Sequence, residues 1–253
     1  MKAVGYRAAG PISNKDKLED IELPVVAPMG RDIRVAVRAV SVNAVDTKIR
    51  RGVAPPVGEY RVLGWDAAGV VEAVGPEASL FKPGDEVFYA GSLERAGSNS
   101  ELHLVDERIV GRKPRSLGFA EAAALPLTAI TAWEAIFDRL DVARPTREGG
   151  GMILVIGGAG RVGSVAIQIL RQLTNLTIIA TASRAETQAW VKEMGAHHVV
   201  DHHHIGGRLG QARTCLGKRG FGIVQFVVEI VRKVVSWVVS HPRYANSPSG
   251  ERV

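Results

Sequence analysis

Short apolar runs, interrupted every few residues by glycine or proline, fill the first half of this chain. Residues 35–42 alternate in part, residues 68–74 follow, and residues 85–89 close the series. Pro55-Pro56, Gly75-Pro76 and Lys82-Pro83-Gly84-Asp85 punctuate them. Short strands with such turns predict a compact β-barrel-like domain over residues 1–118. Met1-Lys2-Ala3-Val4-Gly5-Tyr6 reads as the start of a strand, not as a signal peptide. Residues 119–125 are helical in propensity, Pro126 opens a new segment, and residues 129–140 read as a second helix. A loop with Pro145 and Gly149-Gly150-Gly151 completes a connection over residues 119–150.

From residue 152 the period changes. Met152-Ile153-Leu154-Val155-Ile156 is a continuous apolar run, as a strand buried on both faces requires. A glycine turn leads into a helix over residues 162–173, with Val162, Val165, Ala166, Ile169 and Leu173 on its apolar side. A second strand at 177–182, a helix at 185–194 stopped by Gly195, and a short strand at 198–200 follow. This β-α-β-α-β order is the first half of a doubly wound parallel sheet, a Rossmann-type α/β unit over residues 151–201.

Gly158-Ala159-Gly160-Arg161-Val162-Gly163 fits G-x-G-x-x-G and stands between a strand and a helix, the context in which that spacing means a dinucleotide site. The first glycine permits a tight turn, the second lets backbone approach a pyrophosphate, and the third brings the helix close to the strand. The helix N-terminus then offers N–H groups and a positive dipole end to the phosphates. The cofactor-binding candidates are therefore Gly157, Gly158, Ala159, Gly160, Arg161, Val162 and Gly163. At the end of the second strand, NAD would call for an acidic residue. Ser183-Arg184 stands there instead and suits a 2′-phosphate, so NADP (NADPH) is the expected cofactor. Arg184 also reads simply as a solvated residue at a helix start.

Charge changes the picture only at the end of the chain. The net charge is +6, yet residues 1–201 hold 24 basic and 24 acidic side chains and residues 202–253 hold 8 and 2. A basic tail can contact nucleic acid or an acidic membrane surface, but charge alone is poor support, and no nucleic-acid partner is expected. The polar residues of 221–240 fall at helical spacing, which predicts an amphipathic helix, and 241–253 read as unstructured. No run of about 18 apolar residues exists, so no membrane span is expected. The single cysteine, Cys215, allows no intramolecular disulfide and no cysteine-rich zinc site, and a reducing, cytoplasmic location follows as the expectation. His197, His198, His202, His203 and His204 cluster in sequence; an exposed strand end is the better reading than a metal site.

Five further segments carry a family resemblance: Ser41-Val42-Asn43-Ala44-Val45-Asp46-Thr47-Lys48-Ile49-Arg50, Leu63-Gly64-Trp65-Asp66-Ala67-Ala68-Gly69-Val70-Val71, Lys82-Pro83-Gly84-Asp85-Glu86-Val87, Leu125-Pro126-Leu127-Thr128-Ala129-Ile130-Thr131-Ala132, and the glycine turn. In this order they resemble the medium-chain dehydrogenase/reductase superfamily, in its quinone oxidoreductase-like and zinc-type alcohol dehydrogenase-like branches. The resemblance implies a GroES-like barrel followed by a Rossmann domain, an active site between them, and a homodimer, since dimers are usual there. Zinc-dependent members carry a cysteine ligand at the place of Asn43 and a Gly-His-Glu triplet at Gly64-Trp65-Asp66. Asparagine and tryptophan are poor zinc ligands, so no metal is expected.

Without a metal, the implied chemistry is hydride transfer to a quinone, an enone or a similar carbonyl compound, with hydrogen-bond donors meeting the negative charge that develops on oxygen. The Asn43 amide is a candidate donor, and Thr128 matches the position beside the nicotinamide. Asp46 is a candidate behind the site or a helix cap. Tyr89 offers a phenol or is a packed aromatic, and Trp65 fills space.

The resemblance ends after Asp201. Frameshift or truncation would explain a foreign segment over residues 202–253 and would leave the edge of the first or third sheet strand uncovered. The alternative function is then a non-catalytic fragment, or a dinucleotide-binding module, of the same family.

Overall fold

A computed structural model describes residues 1–11, 13, 18–142 and 151–201, together with the backbone of 221–222. The described residues fall into two compact units that divide at Leu127/Thr128, inside the segment that the sequence reads as a connection.

The first unit is the expected β-rich, GroES-like one. Its strands are β1 (Lys2–Tyr6), β2 (Glu19–Glu22), β3 (Asp32–Ser41), β4 (Arg61–Val62), β5 (Asp66–Val74), β6 (Glu86–Ala90), β7 (Leu102–Asp106) and β8 (Val110–Arg112), with helix α1 (Ala44–Gly52) between β3 and β4. One sheet has the order β2-β1-β4 and the other β7-β3-β5-β6-β8, all neighbours antiparallel. Alternation along the strands sends Ile33, Val35, Ala67, Val71, Val87, Tyr89 and Val105 into one core. Register shifts between Arg34 and Val35 and between Val37 and Ala39 bend β3 against β5. Gly69 is required there, because a Cβ would overlap the Ala36 carbonyl oxygen. Helix α2 (Phe119–Ala123) packs Ala122 and Ala123 on Ala68 of β5.

Helix α3 (Pro126–Trp133) spans the division, starting at a proline that needs no amide partner in a first turn. The predicted helix over 129–140 therefore begins earlier than expected, and its second half, Glu134–Arg139, winds as a wider π-type turn. An apolar pattern alone does not separate these two windings.

The second unit holds β9 (Met152–Val155), α4 (Arg161–Leu173), β10 (Thr177–Thr181), α5 (Ala185–Glu193) and β11 (His198–Val200), the predicted β-α-β-α-β order. Its strands run parallel, and Ile153, Val155, Ile167, Leu170, Ile178, Ala180 and Val191 share a core with Ala132, Ile136 and Phe137. Ala166 is buried and Val162, Val165 and Ile169 pack against the core as expected, Ile167 and Leu170 are buried with them, and Leu173 is exposed. Gly163 lets α4 lie close on the turn before it, because a Cβ there would overlap the Gly157 carbonyl oxygen.

One expectation about the tail is corrected. Phe221–Gly222 is extended, not helical, and forms β12, parallel to β9 at Met152 and Ile153. The sheet order is β11-β10-β9-β12, so β9 is not an open edge. The unpaired N–H and C=O groups along an edge strand favour capture of an extended segment, and the polar spacing of 221–240 carried no information about that. The remainder of 202–253, including His202, His203 and His204, lies outside the described residues.

Candidate functional site

The dinucleotide candidates form one turn. Gly157 leaves β9 with φ of 69°, a left-handed conformation that favours glycine. Its N–H donates to Thr181 Oγ1 at 2.8 Å, and the Gly158 N–H donates to the Thr181 carbonyl at 3.1 Å. The tight-turn role thus falls on Gly157, not on the first glycine of the motif. Gly158 is required for packing, since a Cβ would stand 2.8 Å from the Ala180 Cβ. Gly163 is required because a Cβ would overlap the Gly157 carbonyl oxygen, which is how α4 comes close to the strand. Gly160 differs from both. A Cβ on it would meet only the Gly157 carbonyl oxygen, at 3.2 Å, so the rest of that space is open.

Gly160 also caps α4, and the Ser164 N–H makes the helix's first bond back to the Gly160 carbonyl at 2.8 Å. Earlier amides in the first turn have no partner within their own helix. Gly160 and Arg161 are exposed at this end, while Ala159 and Val162 pack against the core. Open space at Gly160 over a helix start therefore fits the pyrophosphate of a dinucleotide. Three residues the sequence reading missed hold the turn. Thr181 pins Gly157, and Trp190 Nε1 donates to Ser164 Oγ at 2.8 Å, which in turn donates to the Gly158 carbonyl at 3.3 Å. Only the assembled fold brings them together.

Ser183 and Arg184 follow β10 and stand at the same end of the parallel sheet as the glycine turn. Arg184 caps α5 and its side chain is exposed, accessible to a 2′-phosphate.

In the first unit the structure brings Asn43 and Asp46 together and adds Asp66. Asp46 is the helix cap that was one of its two readings. Its carboxylate accepts from the Asn43 N–H at 2.7 Å and from the Gly64 N–H at 3.0 Å, joining the start of α1 to the turn before β5. Burial raises its pKa against the opposing effect of those two bonds. The Asn43 amide nitrogen donates to Asp66 Oδ2 at 2.8 Å and, more weakly, to the Ser41 carbonyl at 3.4 Å. Asp66 is fully buried, and its Oδ1 accepts from the Leu127 N–H at 2.8 Å. Thr128, buried, is the next residue along α3.

Tyr89 is not brought to this group. It is a core residue whose hydroxyl bonds His103 Nδ1 at 2.9 Å, the rings stacking with centroids 5.5 Å apart. Burial pushes the phenol pKa far up. Trp65 fills space as expected, buried with its indole N–H donating to the Ser92 carbonyl at 2.9 Å.

The zinc-ligand positions thus hold an amide that donates, a buried indole and a carboxylate already engaged by two donors. This set does not fit zinc. Among the described residues no three His, Cys, Asp or Glu groups converge on a metal-sized position. His197 Nδ1 accepts from the Ile178 N–H at 2.9 Å, which ties that ring to the sheet. No helix among the described residues is long and apolar enough to cross a membrane.

This architecture, a GroES-like unit followed by a parallel sheet with a glycine turn, defines a class that comparison with known proteins identifies. Residues 30–134 match the alcohol dehydrogenase GroES-like domain. A zinc-type alcohol dehydrogenase-like protein of Staphylococcus aureus (strain COL) is 44% identical over 203 residues, covering 80% of this chain and 60% of the relative. Among solved structures, a Rhizobium etli CFN 42 protein of the zinc-dependent alcohol dehydrogenase type superposes with a TM-score of 0.80 at 61% identity, covering 86% of this chain and 63% of the other. An NAD-dependent alcohol dehydrogenase gives 0.75 at 33%, covering 88% and 70%. The quinone oxidoreductase of Thermus thermophilus, solved also with NADPH, gives 0.65 at 26%, covering 84% and 63%. The chain belongs to the medium-chain dehydrogenase/reductase superfamily. It spans about 60% of the length of the curated relatives it matches.

Proposed function

We propose that this chain acts as an NADPH-dependent oxidoreductase on a quinone, an enone or a similar carbonyl compound, without a catalytic zinc. The observation that carries the reading is the contrast among three glycines: packing enforces Gly158 and Gly163, while Gly160 leaves room for a ligand at the start of α4. When bound, NADPH would supply a hydride to an electron-poor carbon of the substrate and become NADP⁺, with the completing proton taken from solvent. The chain's own contribution starts with phosphate binding at residues 157–163 and a charge-assisted contact from Arg184 to the 2′-phosphate. Thr128 is the proposed hydroxyl donor to the substrate oxygen, at the position the family places beside the nicotinamide. Relatives named for NADPH and for NAD both occur, so the NADPH preference rests on Ser183 and Arg184.

A second reading, a dinucleotide-binding module without turnover, is favoured by the match to the Staphylococcus aureus relative, which takes in 203 residues of this chain but only 60% of that protein. One experiment separates the two. The purified chain is titrated with NADPH by fluorescence and then assayed for NADPH oxidation against a panel of quinones and enones. Binding with turnover supports the oxidoreductase, binding without turnover supports the module, and no binding refutes both. The homodimer that the resemblance implies and the cytoplasmic location expected from the single cysteine are part of the same proposal and are checked by light scattering and fractionation.

A further inference from the structure

We infer that Ser164, backed by Trp190, is a positioning residue of the cofactor turn: its hydroxyl holds the Gly158–Ala159 peptide so that an amide N–H, and not a carbonyl oxygen, is offered to a dinucleotide phosphate. The inference rests on the oxidoreductase reading in one respect, that a dinucleotide phosphate occupies the turn.

In a trans peptide the C=O and the N–H of one plane point in opposite directions. Backbone bonds fix most planes of this turn. The Gly157 carbonyl accepts from the Gly160 N–H at 2.9 Å, and the other end of that plane, the Gly158 N–H, donates to the Thr181 carbonyl at 3.1 Å. The same Gly160 N–H holds the Ala159–Gly160 plane. The Gly160 carbonyl holds the next one by accepting from the Ser164 N–H at 2.8 Å. The Gly158–Ala159 plane differs. Among the described residues its N–H meets no protein acceptor, and its carbonyl accepts only from the Ser164 hydroxyl, at 3.3 Å. Ser164 is buried in the first turn of α4, and its oxygen accepts from Trp190 Nε1 at 2.8 Å. An indole N–H only donates. It therefore occupies a lone pair of the hydroxyl and leaves the hydroxyl hydrogen for Gly158, and bonds in such a chain strengthen one another. With the Gly158 carbonyl turned to Ser164, the Ala159 N–H points away from it and joins the unpaired amides at the start of α4 as a phosphate donor. A reversed peptide would set its carbonyl oxygen against the phosphate while every backbone bond of the turn stayed in place. A side chain that touches no ligand thus decides whether the turn attracts one.

Two side chains of one shape test this in the full chain: Ser164→Thr keeps the hydroxyl and Ser164→Val removes it. Calorimetric titration with NADP⁺ should find Ser164→Val binding about tenfold more weakly than Ser164→Thr, the worth of one hydrogen bond to a charged group. The ¹³C shift of the Gly158 carbonyl, measured by NMR on the free proteins, should agree between wild type and Ser164→Thr and move upfield in Ser164→Val, where the carbonyl has lost its donor. Trp190→Phe, on an exposed ring, keeps the serine and should weaken NADP⁺ about threefold, with a smaller upfield step. It carries the same comparison against wild type if either serine variant fails to fold. Equal NADP⁺ affinity in Ser164→Thr and Ser164→Val overturns the proposal, even with a lowered unfolding temperature in Ser164→Val, which assigns the hydroxyl to stability alone. A Gly158 carbonyl shift that is the same in every variant overturns it too. Failure of NADP⁺ to bind the wild type refutes the oxidoreductase reading instead, and the carbonyl shift still decides whether the hydroxyl holds the peptide.

Discussion

Gly163 lies so close to Gly157 that a side chain on the first would overlap the carbonyl oxygen of the second. Gly160 is less constrained: a Cβ there would stand 3.2 Å from the same carbonyl oxygen, a close contact that a small shift relieves, and its backbone, at φ of −74° and ψ of 165°, is open to any residue. Two variants should therefore part company. Gly163→Ala overpacks the turn and costs about 1–3 kcal/mol of stability. Gly160→Ala leaves stability within about 0.5 kcal/mol and instead weakens NADPH binding by about tenfold or more, one charge-assisted bond to phosphate displaced. Thermal unfolding and NADPH titration of both proteins check the pair. Loss of stability in Gly160→Ala, or full affinity retained, would remove the ligand from that space.

Arg184 should discriminate between cofactors. A charge-assisted hydrogen bond to the 2′-phosphate is worth about 1.5–3 kcal/mol, so Arg184→Ala should bind NADPH roughly 10- to 100-fold more weakly and NADH almost unchanged. Its N-cap role is not at risk, because the contacts that start α5 come from its backbone and Thr187. Equal losses for the two cofactors would assign Arg184 to structure alone.

Activity should not depend on a metal. Asn43, Trp65 and Asp66 are engaged with one another's surroundings as donors and acceptors of ordinary hydrogen bonds, and none is placed as a zinc ligand. NADPH oxidation should survive dialysis against a strong chelator without change in rate. Stoichiometric zinc in the purified protein, with activity that disappears and returns with it, would contradict this.

His103 should make the fold acid-sensitive. Its Nε2–H faces the Ala96 carbonyl at 2.9 Å, leaving Nδ1 to accept from the Tyr89 hydroxyl at 2.9 Å. Burial, aided by the Arg95 charge, lowers its pKa from 6.5 to about 4. The unfolded chain takes up this proton near pH 6.5 and the folded chain only near pH 4, so between those values the unfolded state binds more protons. Stability is complete above that window and falls as pH falls through it, by roughly 3 kcal/mol in all. His103→Gln keeps a donor and an acceptor but does not titrate. Denaturant unfolding at pH 7 and pH 4 should show a loss in the wild type about 3 kcal/mol larger than in the variant. Equal losses would place the acid response elsewhere.

Most strands were legible because their apolar runs have a period of two or none, as at residues 68–74 and 152–156, and the glycine turn was legible because three glycines at fixed spacing follow a strand. Strand β2 was not, since Glu19-Asp20-Ile21-Glu22 has a strongly acidic composition and is strand only through pairing with β1. Helix α1 carried a start signal, Asn43 with Asp46 three residues on, yet its β-branched Val45, Thr47 and Ile49 argue against a helix until the cap and the Gly64 contact are in place. At the site, the identities of Asn43, Asp46 and the turn residues could be read from sequence. Their roles could not, because the direction of the Asn43 amide depends on Asp66 and the seclusion of Tyr89 depends on His103, partners that only folding supplies.

The hydrogen bond from Trp190 to Ser164 gives the phosphate turn an optical reporter. Trp65 is sealed in its core, whereas Trp190 is 44% exposed and joined through one hydroxyl to the Gly158 carbonyl. Emission from an indole responds to the polarity and hydrogen bonding at its nitrogen. Any ligand that tightens or loosens the turn therefore changes the light from α5, and the adenosine end of a nucleotide can be followed separately from whatever happens at the nicotinamide.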